Sequence, residues 1–275
     1  MKEEKIKKEV RKRYAKVAKT NSSCCASNLS CCSPQTNKNI SKMVGYSEEE
    51  MNTVPQGANL GLGCGNPTAL ASLREGERVL DLGSGAGFDC FLAAKKVGAQ
   101  GKVIGVDMTP EMIDKARTNA TKGKYTNVEF RLGEIENLPV ADNSVDVIIS
   151  NCVINLAPNK KRVFEEAYRV LNINGRLMVS DIVLLKSLPK SIQKNVEAYA
   201  GCIAGAEIKD KYIELIKNAD FKEVKVLEEK TYPLEYIISE DTLTDAIKLT
   251  NMTKTELESA AKSIISVEVS AIKKK

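Results

Sequence analysis

The chain has 275 residues, a formal net charge of +5 and 43% hydrophobic residues, which suits one compact domain with additions, or two small ones, around a sizeable core. It contains no His and no Trp, which excludes the usual general base near neutral pH, Ser/His and Cys/His nucleophile pairs and the commonest metal ligand. The basic excess gathers at the ends, in KEEKIKKEVRKRYAK and the closing KKK; without interleaved aromatics it reads as a solvated helix and tail, not a nucleic-acid surface.

In chain order, Ile6, Val10, Tyr14 and Val17 recur at helical spacing and predict an amphipathic helix over 3–19. This charged start lacks the apolar stretch of a secretory leader. No run approaches the roughly 20 apolar residues of a membrane span, so a cytoplasmic location is expected. Eight cysteines are then expected as reduced, working thiols rather than a disulfide scaffold. The stretch NSSCCASNLSCCSPQTNKN, with its vicinal pairs Cys24-Cys25 and Cys31-Cys32, reads as a loop. Ser47 to Glu50 form a capping-box pattern opening a short helix. The glycine-rich VPQGANLGLGCGNPTALASL follows and enters a helix near Thr68.

Strand and helix signals then alternate. Strands are expected at 78–82, 102–107, 127–131, 145–150 and 176–182, with helices at 88–97, 110–121 and 159–171. Thr109-Pro110-Glu111 reads as an N-cap with Pro at the first helical position. Beyond 185, helices are expected at 189–200 and 209–219, strands at 222–229 and 264–272, and helical segments within 240–262. This pattern predicts an α/β fold with a doubly wound, mostly parallel sheet covered on both faces. It divides into an N-terminal helix and Cys-rich segment (1–42), a core (43–184) and a C-terminal region (185–275). No long exposed apolar stripe is visible, and a monomer is expected.

The turn Asp81-Leu82-Gly83-Ser84-Gly85-Ala86-Gly87 joins a strand to a helix, and glycine lets such a backbone turn tightly and approach a ligand. Alone it would serve a nicotinamide, flavin or S-adenosylmethionine cofactor. The spacing G-x-G-x-G at 83, 85 and 87 is not the dinucleotide G-x-G-x-x-G. Asp107 closes the second strand, where an acid can accept from both ribose hydroxyls. After the third strand, Glu134 can reach an adenine edge, while Met108 and Ile135 can sandwich the ring. Asn151, at the exit of the fourth strand, completes the cofactor candidates. Together these residues resemble the class I S-adenosylmethionine-dependent methyltransferases, which implies a Rossmann-like sheet. In that family the glycine loop backs the methionine part of the cofactor and the second-strand acid binds ribose.

Three cysteines stand apart. Cys152, in VDVIISNCVINL, lies at the exit of the fourth strand, where a doubly wound sheet opens into its ligand crevice. Cys64 lies in GLGCGNP, and Cys202 in YAGCIAGA among small residues. Cys90 falls inside a helix and reads as packing. Taken together, GLGCGNP, SNCVINL and AGC closely resemble the arsenite (As(III)) S-adenosylmethionine methyltransferases, from about residue 10 to about 230. The resemblance implies that Cys152 and Cys202 hold trivalent arsenic during turnover. It also implies that Cys64 acts with an N-terminal cysteine, as third ligand or as redox partner. Cys24, Cys25, Cys31 and Cys32 are all candidates for that role, with Cys31 or Cys32 favoured. It further implies a thiol conjugate of arsenic as substrate, and a thiol reductant such as glutathione or thioredoxin. The C-terminal region is then expected to complete both the arsenic site and the sheet. Two other readings compete. One is a methyltransferase for a small organic molecule with buried structural cysteines. The other is a metal- or arsenic-sequestering or sensing protein, in which the N-terminal pairs hold zinc.

Overall fold

The structure, a computed structural model, describes residues 3–20, 34–189, 204–231 and 262–275, together with 253 and 260. The elements run α1 (Glu3–Thr20), α2 (Pro34–Met43), α3 (Glu48–Thr53), α4 (Pro67–Leu70), β1 (Arg78–Leu82), α5 (Phe88–Val97), β2 (Lys102–Asp107), α6 (Pro110–Lys122), β3 (Val128–Leu132) and β4 (Val145–Asn151). A 3-10 turn (Ile154–Leu156) follows, then α7 (Lys160–Val170), β5 (Leu171–Leu184), α8 (Lys209–Asn218), β6 (Lys222–Thr231) and β7 (Ile264–Ile272). The expected helix at 189–200, and nearly all of the helical segments within 240–262, lie outside the described residues.

The strands form one sheet in the order β3-β2-β1-β4-β5-β7-β6. β1 to β5 are parallel, and β7 runs antiparallel to both its neighbours. Because both faces are covered, the central strands read as unbroken apolar runs. Along β1, Leu80 and Leu82 join one cluster with Phe164 of α7 and Tyr212 of α8. The alternate residue Val79 joins another with Phe91 of α5 and Ile113 of α6. That is the period-two alternation of a strand buried on both sides. The order reverses between β1 and β4, so the crevice opens beyond their carboxyl ends.

One sequence expectation needs correction. The stretch read as a loop up to Asn39 becomes helical at Pro34. Proline suits a first helical turn, where its missing N–H has no partner to lose. α2 is held by polar contacts rather than an apolar stripe: Asn37 Nδ2 donates to the Asn59 carbonyl (3.3 Å) and Ser41 Oγ to Asn59 Oδ1 (3.0 Å). Hydrophobic periodicity therefore could not reveal it. Thr109 is the N-cap of α6 with Pro110 at its first position, as expected. The capping box at Ser47 forms as expected, with reciprocal bonds of 3.1 and 3.0 Å to Glu50. β5 is longer than expected, and β7 pairs with it from Arg176↔Ile272 to Leu184↔Ile264.

Candidate active site

The β1–α5 turn is built from three left-handed glycines, Gly83, Gly85 and Gly87. Gly83 packs under Val153, and a Cβ there would overlap that side chain. At Gly85 an added Cβ would meet nothing within 4 Å, so the loop presents open space at that point. Gly87 turns instead into the apolar core, against Phe91 and Phe130. It shapes the turn and does not line the cavity.

A cavity of about 1040 Å³, counted to its open mouth, lies over this turn. Asp81, Gly83, Ser84, Gly85, Asp107, Met108, Ile135, Asn151 and Cys152 all line it. Asp107 accepts the Gly85 amide (3.0 Å) and the Thr109 amide (2.8 Å). Burial raises its pKa, and those two amides oppose the shift. The Glu134 carboxylate pairs with Lys7 at 2.7 Å, while Glu136, also on Lys7 at 2.8 Å, lines the cavity. Lys7, Val10 and Tyr14 bring α1 over the cavity as a further wall. The amphipathic pattern of α1 gave the helix but not this placement.

At the other end the thiols converge. Cys152 follows β4 directly and adopts a left-handed backbone (φ 58°), a conformation that costs a non-glycine residue free energy and is often found at functional positions. Its amide donates to the Ser180 carbonyl of β5 at 2.9 Å. Cys64 Sγ approaches the same carbonyl at 3.6 Å, so one backbone oxygen sets the register of both cysteines. The Cys64 amide donates to Asn151 Oδ1 (2.9 Å), and the Cys64 carbonyl accepts from Ser266 of β7 (2.9 Å). Both thiols are reduced and buried. One ligand atom from each of Cys64, Cys152 and Asp181 lies within 4.8 Å of the other two. Asp181 is fully buried and accepts from Asn155 Nδ2 (2.8 Å), the Ile182 amide (2.9 Å) and the Tyr212 hydroxyl (3.2 Å). Burial pushes its pKa up to about 7. Cys202, Cys31, Cys32, Cys24 and Cys25 lie outside the described residues. Cys90, read as packing, is buried in α5, and its thiol donates to Asp81 Oδ2 at 3.2 Å.

Sequence reasoning missed Lys7, Tyr46, Asp89 and Asp181. Asp89 sits in the first turn of α5, accepting the Tyr46 hydroxyl (2.6 Å) and Asn151 Nδ2 (3.2 Å). Asn151 Nδ2 also donates to the Tyr46 oxygen and the Gly65 carbonyl, both at 2.8 Å. A signal for Asp181 was present: it is an acid inside the apolar run LMVSDIVLL, where an ionisable group needs a reason.

A model described as a methyltransferase domain matches residues 73–220. An arsenite methyltransferase of Halobacterium salinarum is 50% identical over 230 residues, covering 81% of this chain and 59% of that protein. One of Aquipseudomonas alcaligenes is 40% identical over 175 residues, covering 61% and 50%. The chain thus spans little more than half the length of these curated relatives. Among solved structures, an arsenic(III) S-adenosylmethionine methyltransferase from Chlamydomonas reinhardtii superposes with a TM-score of 0.61 at 31% identity, covering 86% of this chain and 73% of that one.

Proposed function

The chain belongs to the class I S-adenosylmethionine-dependent methyltransferases, in the family of arsenic(III) methyltransferases, and on that premise we propose that it transfers a methyl group from S-adenosylmethionine to trivalent arsenic held on thiols. One observation carries the reading. A single cavity runs from Asp107 and the Gly83–Gly85 turn to Cys152, with Cys64 beside that thiol.

The residues fit the methyl donor. Gly85 leaves room where a side chain would intrude. Asp107 accepts from the Gly85 and Thr109 amides and from the Thr109 side chain, and the acceptor capacity that remains on its carboxylate suits a ribose hydroxyl. Met108 and Ile135 supply apolar faces for a purine. When bound, S-adenosylmethionine supplies an electrophilic methyl group on a cationic sulfonium. The protein's part is placement. Cys64, Cys152 and Cys202 hold arsenic as thiolates, which a soft trivalent centre prefers, and leave its lone pair free. Near-attack positioning of roughly 3–3.5 Å between reacting atoms supplies much of the acceleration. The nucleophile carries no proton, so a chain without histidine loses nothing.

Methylation draws two electrons from arsenic. Two thiols return them by closing a disulfide and releasing two protons. We assign this to Cys64 with an N-terminal cysteine, Cys31 or Cys32, which glutathione or thioredoxin then reduces. Serine replacements of Cys64, Cys31 and Cys32 that each left multiple turnover intact would sink this assignment.

The test of the main reading is incubation with arsenite, S-adenosylmethionine and glutathione, followed by chromatographic separation of arsenic species. Methylated arsenic from the wild type and none from Cys152→Ser is expected. Intact donor binding without methylated arsenic would turn the reading toward a small organic acceptor.

A further inference from the structure

The loop that carries Cys64 rests on the C-terminal part of the sheet. Ser266 and Glu268 of β7 lie two residues apart and so share a face, and Ser180 of β5 is the register partner of Glu268. The Ser266 hydroxyl donates to the Cys64 carbonyl (2.9 Å), and the Asn66 amide donates to the Glu268 carboxylate. Between these two contacts Gly65 passes so close that an added Cβ would overlap the Ser180 hydroxyl and lie 3.1 Å from Glu268 Oε1. Glu268 is 6% exposed, and its buried Oε2 has no donor among the described residues. The residue directly opposite it on β6 is a second carboxylate, Glu228, within hydrogen-bonding range. Like charges directly opposite each other repel, and two carboxylates, both acceptors, can bond only through a proton. Lys230 decides which acid carries it: its ammonium sits 2.8 Å from Glu228 and holds that carboxyl below its ordinary pKa.

We propose that Glu268 is a positioning residue for the thiol site: protonated, it donates to Glu228, accepts the Asn66 amide and so docks the Cys64 loop on β7. The inference rests on the thiol-bound arsenic reading above and adds a residue to it. Cys64 is then held from two sides. Asn151 accepts its amide, while β7 takes its carbonyl through Ser266 and the next turn of the loop through Glu268. Burial and Glu228 push the Glu268 pKa up to about 7 against the pull of Lys230. Of the charged groups among the described residues, Glu228 and Lys230 of β6 act on it most. β5 and the Cys64 loop face it with Ser180 and the Asn66 amide, which do not titrate. The folded value lies above the unfolded one of about 4.3. The lock is therefore fully present below the unfolded value and is lost as pH rises through about 7.

The experiment follows alkylation of Cys64 by iodoacetamide, read by peptide mass spectrometry, with the buried Cys90 of α5 as internal control. Wild type, Glu268→Ala and Glu268→Gln are compared as full chains. Glu268→Ala should speed modification of Cys64 about tenfold or more, because a buried amide loses its acceptor. Modification of Cys90 should change by less than about twofold, because the opening is local. Glu268→Gln keeps an acceptor for Asn66 and a donor for Glu228 at every pH. The ratio of wild-type to Glu268→Gln rates at Cys64, in which the thiol's own ionisation cancels, should be near one at about pH 6 and rise severalfold by about pH 8.5. Methylation of arsenite should fall about tenfold or more in Glu268→Ala, as a reacting group is misplaced, and be restored in Glu268→Gln. A ratio that stays flat with pH, equal acceleration at Cys64 and Cys90, or undiminished methylation in Glu268→Ala would overturn the inference. Should Glu268→Ala fail to fold, the pH ratio decides alone. A wild type that methylates no arsenite would overturn the arsenic reading, and the alkylation rates would still judge the docking.

Discussion

The two ends of the cavity are assembled in opposite ways. The proposed donor end is local. Asp81, the three glycines, Asp107 and Met108 lie within one strand-turn-helix-strand unit, and backbone amides at Gly85 and Thr109 fix its acid. The thiol end is distant in sequence. Cys64 comes from a loop before the sheet, Cys152 from the end of β4, and Asp181 from inside β5. Only strand order brings them together, through the Ser180 carbonyl. A local site survives on short-range geometry, whereas a distributed site depends on the whole sheet.

The sharpest way to break this comparison is to damage each end separately. Asp107→Ala should weaken S-adenosylmethionine binding by about tenfold or more while leaving arsenite binding to the thiols unchanged. Cys152→Ser should do the reverse, retaining donor affinity and losing at least about a hundredfold in methylation rate, as expected when the reacting atom is misplaced. Parallel titrations with the donor and with arsenite check both. Equal effects of the two substitutions on both ligands would mean that the ends do not act independently.

The distributed end should also be the more fragile. An added Cβ at Gly65 would overlap the Ser180 hydroxyl and lie 2.9 Å from the Ser180 Cβ and 3.1 Å from Glu268 Oε1. Glu268 Oε1 ends a longer side chain, but Ser180 is a short, fully buried one in the sheet interior and its Cβ cannot swing away. Gly65→Ala should therefore cost about 1–3 kcal/mol in urea unfolding, the usual range for overpacking, and should weaken arsenite binding with it. Gly85→Ala, which meets nothing within 4 Å, bears only its left-handed backbone penalty of about 1–2 kcal/mol. It should impair donor binding and spare arsenite.

This difference also explains what could be read in the sequence. The parallel strands, the helices between them and the glycine turn each carry a short-range pattern, so their boundaries fall within a few residues of expectation. Cys152 was legible because a strand exit in a doubly wound sheet has a known destination. Asp89 was not, since an acid in a first helical turn is already explained by the helix dipole. Lys7 was hidden for a related reason: a lysine on a charged helix looks solvated until the fold lays α1 across Glu134 and Glu136. Gly87 and Glu134 have neighbours that their motif position did not reveal: Gly87 lies against Phe91 and Phe130, and Glu134 pairs with Lys7.

Asp181 sharpens the comparison through pH. Its folded-state pKa, about 7, lies above the unfolded value of about 3.9, so the folded chain binds this proton more tightly. Its contribution to stability is fully present below the unfolded value and is lost as pH rises through the folded one. Asp181→Asn can still accept from Asn155 and the Ile182 amide, and can turn its amide toward Tyr212. The variant should lack the decline, gaining on the order of 1 kcal/mol relative to wild type between about pH 5 and pH 8. Glu77, Glu129 and Glu166, whose pKa values are lowered by arginine or lysine partners despite opposing burial, contribute the opposite slope. Their contribution is shared by both proteins and cancels in the difference. Parallel pH slopes for the two proteins would show that Asp181 ionises as freely folded as unfolded.

The smallest effect belongs to the wall that joins neither end. α1 reaches the cavity through Lys7, Val10 and Tyr14, and Lys7 ties it to Glu134 and Glu136 just beyond β3. The Lys7 side chain is 15% exposed and those of Glu134 and Glu136 are 37% and 10% exposed, so the pairs sit between the surface and buried regimes. Exposed pairs of this kind contribute about 0.2–1 kcal/mol, and the apolar contacts of Val10 and Tyr14 remain when the charge is removed. Lys7→Met should therefore lower global stability by less than about 1 kcal/mol, yet loosen the end of α1 that its charge ties to Glu134 and Glu136. Donor dissociation measured by stopped flow should quicken severalfold. Added salt should speed release from the wild type, because screening weakens the same pairs, and should do little to the variant. Identical salt dependence in both proteins would assign retention of the donor to the packing of Val10 and Tyr14 and not to the Lys7 tether.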